Sequence, residues 1–247
     1  MDAIITDVHG NLEALDAVLN AIGDTPSSRI MCLGDLVCYG PDSTECVRRS
    51  ADWDIRILGD WDATLLSHDP NEWNPNINRH IEYVRGEFES SADADFLFST
   101  VRSYIDTHSE SGIDFVHGTP RSKREWVFPE DTYDQRKLNK IAERFDSVCI
   151  CGHAHLNGIY RQHDSTWEFV QPEPGIRYDI TVADKTLVTV GAVGQPRDDD
   201  TRATFATLGG DFVTFHRVEY DVESTVSKIR ANQGIDDMYG ERLLYGR

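Results

Sequence analysis

The sequence predicts an α/β protein of four layers, α-β-β-α, with two mixed sheets packed face to face and helices on the outer faces. Three observations predict it. The first half alternates short apolar runs with amphipathic stretches, the rhythm of β-α-β units; beyond Gly158 the pattern changes to strands without long helices; and the apolar runs of the first half end in Asp or His beside a glycine or a turn.

Taken in order, AIITDVHGN leads into the amphipathic LEALDAVLNAI, RIMCLGD into PDSTECVRRS, and IRILGD into a longer insert. From about residue 74 to 108 the periodicity is helical, through IEYVRGEF and ADFLFSTVRSYI, after the polar stretch SHDPNEWNPNIN, and predicts a helical insert flanking the site. The strand IDFVHG follows, then a helix near 133–145, then the strand SVCICGH. TWEFVQP, TLVTVGAVG, ATFATLG and DFVTFHRVEYD read as strands, and a last helix near 222–232 closes the chain. No internal repeat and no Ser/Gly/Pro-rich linker marks a boundary, so 1–247 reads as one domain.

A chain of 247 residues with 39% hydrophobic content can bury a sizeable core. Its net charge of −19 argues against loose attraction to nucleic-acid polymers or acidic membranes, since either needs a basic face. No stretch approaches the roughly 20 apolar residues of a membrane span, and MDAIITDVHG lacks the basic start and apolar core of a secretory signal. The expected location is the cytoplasm. Abundant Asp with scarce Lys suggests a strongly hydrated surface and a salty habitat, hence stability that depends on salt. The odd count of 5 cysteines argues against a disulfide framework, and Cys149 and Cys151, inside the apolar SVCIC, read as small buried residues rather than a metal site.

The polar residues at strand ends carry the chemistry, because ligands of open α/β sheets bind there. Asp7 and His9 are two apart at the end of AIITDVH, a spacing that along a strand points both to one side. His153 and His155 repeat the spacing after SVCIC; Asp35 ends RIMCLGD, Asp60 ends IRILGD and His117 ends IDFVH. One strand-end Asp is commonly a helix cap, and one His is commonly just hydrogen-bonded. The whole set is hard to explain by capping and points to a metal site.

The motifs are D-V-H-G-N at Asp7 to Asn11, G-D-L-V-C-Y-G-P at Gly34 to Pro41, G-D-W-D at Gly59 to Asp62, V-H-G at Val116 to Gly118 and G-H-A-H at Gly152 to His155. With them the chain resembles the calcineurin-like metallophosphoesterases over nearly its whole length. V-G-Q-P-R-D at Val193 to Asp198 and the closing E-R-L-L-Y-G-R resemble the small prokaryotic phosphoesterase and diadenosine-tetraphosphatase-like branch.

The resemblance implies two divalent metal ions. Asp7, His9 and His155 would hold one, His117 and His153 the second, and Asp35 would bridge them. Asp60 stands where the family normally has an Asn that ligates the second ion, and a carboxylate can ligate there equally well. Oxygen and imidazole ligands suit Mn²⁺, Fe, Zn²⁺ or Ni²⁺. Such a pair activates a water and clamps phosphoryl oxygens, so Asp35 and Asp60 are expected at the reaction and no side-chain nucleophile is needed. Asn11 and the amides around Gly10 are expected phosphate contacts. Arg197 reads either as a phosphate contact or as a surface ion pair.

Two positions depart from the family's G-N-H-D or G-N-H-E. Trp61 replaces the His that protonates the leaving group, and an indole N–H is no acid near neutral pH. Asp60 adds a negative charge that should tighten cation binding and weaken phosphate binding. His68 or His80 could supply an acid, against the plainer reading of solvated histidines. Trp61 reads as a packing residue or as a platform for a base or aryl group, and Asp62 as the cap of a helix beginning at Ala63.

The expected function is metal-dependent hydrolysis of a small phosphomonoester, phosphodiester or nucleotide. One alternative is a catalytically weak scaffold or regulatory protein of the same fold. Another is a protein serine/threonine phosphatase, disfavoured because Leu-Val-Cys-Tyr-Gly follows Asp35 in place of the arginine-bearing G-D-x-V-D-R-G form.

Overall fold

The computed structural model describes residues 1–67 and 75–247. Two six-stranded mixed sheets stack against each other. The first has the order β3-β2-β1-β11-β12-β9, from Ile55–Arg56, Arg29–Cys32, Asp2–Ile5, Ala203–Gly209, Phe212–Val218 and Arg177–Asp179. The second has the order β4-β5-β6-β10-β7-β8, from His108–Glu110, Ile113–Phe115, Val148–Cys151, Lys185–Thr189, Gly158–His163 and Thr166–Val170. The parallel pairs are β1 with β2 and β2 with β3 in the first sheet, and β5 with β6 and β6 with β10 in the second; the remaining pairs, β4 with β5 among them, are antiparallel.

Side-chain alternation builds the layers. In β1, Ile4 points between the sheets with Met31, Phe115, Ile150 and Val188, whereas Ala3 and Ile5 face outward onto Leu15 and Val18 of α1 (Leu12–Gly23). In β6, Val148 and Ile150 face inward, while Cys149 and Cys151 face Leu138 and Ile141 of α6 (Arg136–Ala142). The C-x-C pair is therefore buried packing, and burial pushes both thiols upward, away from the thiolate a metal needs. Outside the first sheet lie α1, α2 (Ser43–Ser50), α3 (Asp60–Leu66), α4 (Pro75–Ser90), α5 (Ala94–Arg102), α7 (Val222–Ala231) and α8 (Asp237–Leu243).

Three expectations are corrected. The helix near 133–145 is shorter: a 3-10 turn at Pro129–Thr132 precedes α6, with the Asp131 carboxylate accepting from the Phe128 amide. The chain does not close with α7, because α8 follows, capped by Asp236, and packs Tyr239 and Leu243 onto Val226 and Ile229. The insert resolves into α4 and α5, and its expected last residue, His108, belongs to β4 of the second sheet. Among the described residues no helix is long and apolar enough to cross a membrane.

Candidate metal centre

The strands stop short of the polar residues that follow them. β1 ends at Ile5, β2 at Cys32 and β6 at Cys151, so Asp7, His9, Asp35, His153 and His155 lie in loops. Their φ angles are 53°, 49°, 56°, 64° and 60°, all left-handed. The alternation expected to align Asp7 with His9, and His153 with His155, is thus replaced by turn geometry. Left-handed backbone is costly for residues bearing a Cβ and persists only where the surroundings over-determine it. Here neighbouring loops do so: the amides of Asp7, His9 and Gly10 donate to the carbonyls of Gly34, Asp35 and Leu36 at 2.8–2.9 Å, and those of Val193 and Gly194 donate to Thr6 and Asp7.

The loops bring together all seven predicted ligand residues, every one of them buried. Asp7 uses Oδ2 to accept from Thr6 Oγ1 and the His153 amide, both at 2.8 Å, which leaves Oδ1 without a partner, 3.3 Å from His155 Nε2 and 3.7 Å from His9 Nε2. Asp35 likewise accepts the Trp61 amide at Oδ1 and leaves Oδ2 without a partner, 3.2 Å from His117 Nε2 and 3.9 Å from His9 Nε2. Asp60, the first residue of α3, sets Oδ1 3.2 Å from His117 Nε2 and 3.3 Å from His153 Nδ1.

The imidazoles are oriented through their other nitrogens. Nδ1 of His9, His117 and His155 meets the carbonyls of Val37, Leu33 and Gln195, which makes each Nδ1 a donor and turns each Nε2 toward the carboxylates. His9 and His155 then oppose Nε2 to Nε2 at 3.1 Å, and His117 Nε2 faces His153 Nδ1 at 3.1 Å. Ring nitrogens turned toward one another beside two orphaned carboxylate oxygens make a donor set for a cation, so the residues present fit bound metal. Ligand atoms of Asp7, His9 and His155 form one mutually close group, and those of Asp7, Asp35, His117 and His153 a second. Asp7 belongs to both groups, and the free oxygen of Asp35 stands 3.2 Å from His117 Nε2 and 3.9 Å from His9 Nε2.

The ionisations follow from burial and proximity. Burial works against the Asp7 carboxylate, but His155, His117 and His9 together hold it well below the usual range. Burial pushes Asp35 well above it. For His117 burial opposes the charge, and Asp35 beside it prevails, raising the imidazole well above its ordinary value. His9 and His155 are held low, by burial first, then by the charge of His155 on His9 and of Arg197 on His155, so both stay neutral and available as ligands.

Asp62 does not cap a helix at Ala63. It is the third residue of α3, fully buried, and its carboxylate accepts from the amides of Asp35, Leu36, Val37 and Gly59 at 2.8–3.3 Å. It thereby fixes the loop that presents Asp35, and burial raises its carboxyl to about 6.

Asn11 and Gly10 are not placed to hold phosphate. Asn11 caps α1 through Oδ1, which also accepts from Thr225, and its Nδ2 donates to the Gly194 carbonyl and the Tyr220 hydroxyl. The Gly10 and Asn11 amides go to the Leu36 and Val8 carbonyls. The signature keeps these residues for architecture.

Trp61 is 6% exposed and packs edge-on against Tyr39, whose ring lies 4.5 Å from that of His9. His80 is buried rather than solvated, accepts the Tyr39 amide at Nε2, and is pushed down to about 4 by burial. His68 lies outside the described residues. Among the described residues Arg197 makes no ion pair: its guanidinium donates to Gln195 Oε1 and sits 5.9 Å from the Tyr39 ring centre, close enough for its charge to depress His9 and His155. Sequence reasoning gave Asp62 only a capping role and passed over Tyr39 and Trp126. The Trp126 ring lies 5.7 Å from that of His153, and no local pattern marks it.

Two sheets with a buried His/Asp cluster at one end define a metallophosphoesterase-type protein. The chain belongs to the calcineurin-like phosphoesterase superfamily, whose domain matches residues 2–211. It is similar over 100% of its length to a metallophosphoesterase structure from Sphaerobacter thermophilus, at 30% identity, 98% coverage of that chain and a TM-score of 0.84. It is also 28% identical to an uncharacterized protein of Methanocaldococcus jannaschii, covering 100% of this chain and 98% of that one. The fold recurs in a hypothetical protein of Pyrococcus horikoshii OT3, at 17% identity, 100% and 99% coverage and a TM-score of 0.75.

Proposed function

We propose that the protein is a dinuclear-metal phosphoesterase that hydrolyses a small phosphate ester by attack of a metal-activated water. The observation that carries this reading is the pair of orphaned oxygens, Asp7 Oδ1 and Asp35 Oδ2, each facing the Nε2 atoms of oriented histidines. Bound metals would supply a low-pKa water and a clamp on the phosphoryl oxygens. Around them, the protein's own groups do the positioning. Asp62 and the Trp61 amide fix Asp35, the carbonyls of Val37, Leu33 and Gln195 fix the imidazoles, and Arg197 places a cation beside the cluster where an anionic ester gains by it. Mn²⁺, Fe, Zn²⁺ and Ni²⁺ all suit the donor set.

A scaffold role is favoured by one observation: the position of the family's acidic His holds Trp61, packed into the core. Metal-stripped protein refilled with Mn²⁺, Ni²⁺, Zn²⁺ or Mg²⁺ and assayed on phosphomonoesters and phosphodiesters separates the two. The enzyme gives metal-dependent turnover, best on esters with good leaving groups, and Trp61→His extends it to poor ones by up to about 10²–10⁴-fold. Tight metal binding without turnover on any ester leaves the scaffold.

A further inference from the structure

Trp126 lies in the loop between β5 and β6, and everything around it is tied down. Thr119 and Ser122 exchange backbone hydrogen bonds, Thr119 Oγ1 donates to Glu125, and Val127 is 2% exposed in the core over α6. The Arg124 guanidinium donates to Thr64 Oγ1 of α3, the helix that presents Asp60. The loop is therefore held from both sides without help from the indole.

Trp126 is nevertheless 47% exposed, whereas Trp53, Trp61 and Trp167 are all buried. Leaving so large an apolar ring half in water gives the folded state little. Its ring lies beside the metal centre, 5.7 Å from the His153 ring, and is braced by Phe128 at 5.7 Å. The ring it faces belongs to the metal centre: His153 is buried, sets Nδ1 3.3 Å from Asp60 Oδ1, and leaves its buried Nε2 without a hydrogen-bond partner. A half-exposed, rigidly presented aromatic surface beside an imidazole of the metal centre is the arrangement of a site for a ligand that is polar at one end and flat and apolar at the other.

We propose that Trp126 is a specificity-determining residue that stacks a planar aromatic group of the ester, of the nucleobase class, while the phosphate lies on the metal centre. The assignment rests on the phosphoesterase reading above and deepens it. Every base offers a π-face, so stacking favours nucleosidyl esters over sugar or alkyl esters without selecting a particular base.

The test is calorimetric binding to metal-loaded protein of two ligands that cannot be hydrolysed: the methylenephosphonate analogue of adenosine 5′-monophosphate, and methylphosphonate. Wild-type protein should bind the nucleoside ligand more tightly. W126A should weaken it by about 5- to 150-fold while changing methylphosphonate less than about twofold, and W126F should restore most of the loss. Equal weakening of both ligands, or no preference for the nucleoside ligand in the wild type, overturns the proposal. Base-dependent binding without hydrolysis of any ester would strike the enzymatic reading alone; hydrolysis with base-independent binding would strike this one alone.

Discussion

Asp35 divides its two oxygens between being held and holding. Oδ1 takes the Trp61 amide, and Oδ2 is left to the histidines. Asp7 does the same with Thr6 and the His153 amide on one side and His155 on the other. His80 works differently, as a neutral acceptor for the Tyr39 amide, and burial outweighs the opposing pull of Gly234 and Asp236 to bring it down to about 4. In the unfolded chain it returns to an ordinary value near 6.5. Between those values the unfolded state binds the extra proton, so the stability tied to His80 is complete above pH 6.5 and is lost as pH falls toward 4. His80→Gln, whose amide oxygen can still accept from Tyr39, should therefore lose about 2–3 kcal/mol less than wild type between pH 7.5 and 4.5 in urea unfolding. Parallel losses in the two proteins would show that His80 titrates normally.

At the scale of elements, the site is a set of loops pressed together after the strands end. Gly59, at the turn into α3, permits the closest approach: a Cβ there would lie 2.0 Å from Asp35 Oδ1 and 2.3 Å from the Asp35 amide nitrogen. Gly59→Ala should keep its circular dichroism spectrum but bind metal at least about tenfold more weakly in a chelator competition, because Asp35 must move; unchanged affinity would contradict this. The seven buried ligand residues were legible because each follows an apolar strand and stands beside a glycine or a turn. The parts played by Asn11 and Gly10 were not, since they depend on contacts from distant segments, with Asn11 reaching Gly194, Tyr220 and Thr225. Short strands also escaped notice. β9 is three residues long and mostly exposed at a sheet edge, and β4 pairs only through three residues, so neither has enough apolar alternation to announce itself. α8, with Gly240 in its interior, is a weak helix by sequence that forms because Tyr239 and Leu243 find Val226 and Ile229.

For the whole molecule, the layered architecture was readable from the change of pattern near Gly158, since alternation of strands and helices and then of strands alone leaves few ways to bury both faces. A net charge of −19 acts across the entire surface. Self-repulsion of that size is screened as the Debye length falls from about 30 Å at 0.01 M salt to about 3 Å at 1 M, so the melting temperature should rise over that range. A flat profile would mean that the surface ion pairs, such as Arg29 with Asp2 and Glu110, already neutralise the repulsion locally. Bound metal should raise stability further, because the unfolded chain has no assembled site.

The central claim is that the buried His/Asp cluster holds two metal ions with Asp35 between them. Its most direct test is a titration of metal-stripped protein with Mn²⁺, following bound metal and melting temperature together in wild type and Asp35→Ala. The account predicts about two ions per wild-type chain with a rise in melting temperature, and the loss of at least one ion together with all hydrolysis in Asp35→Ala. Full metal loading and unchanged hydrolysis in Asp35→Ala would contradict it.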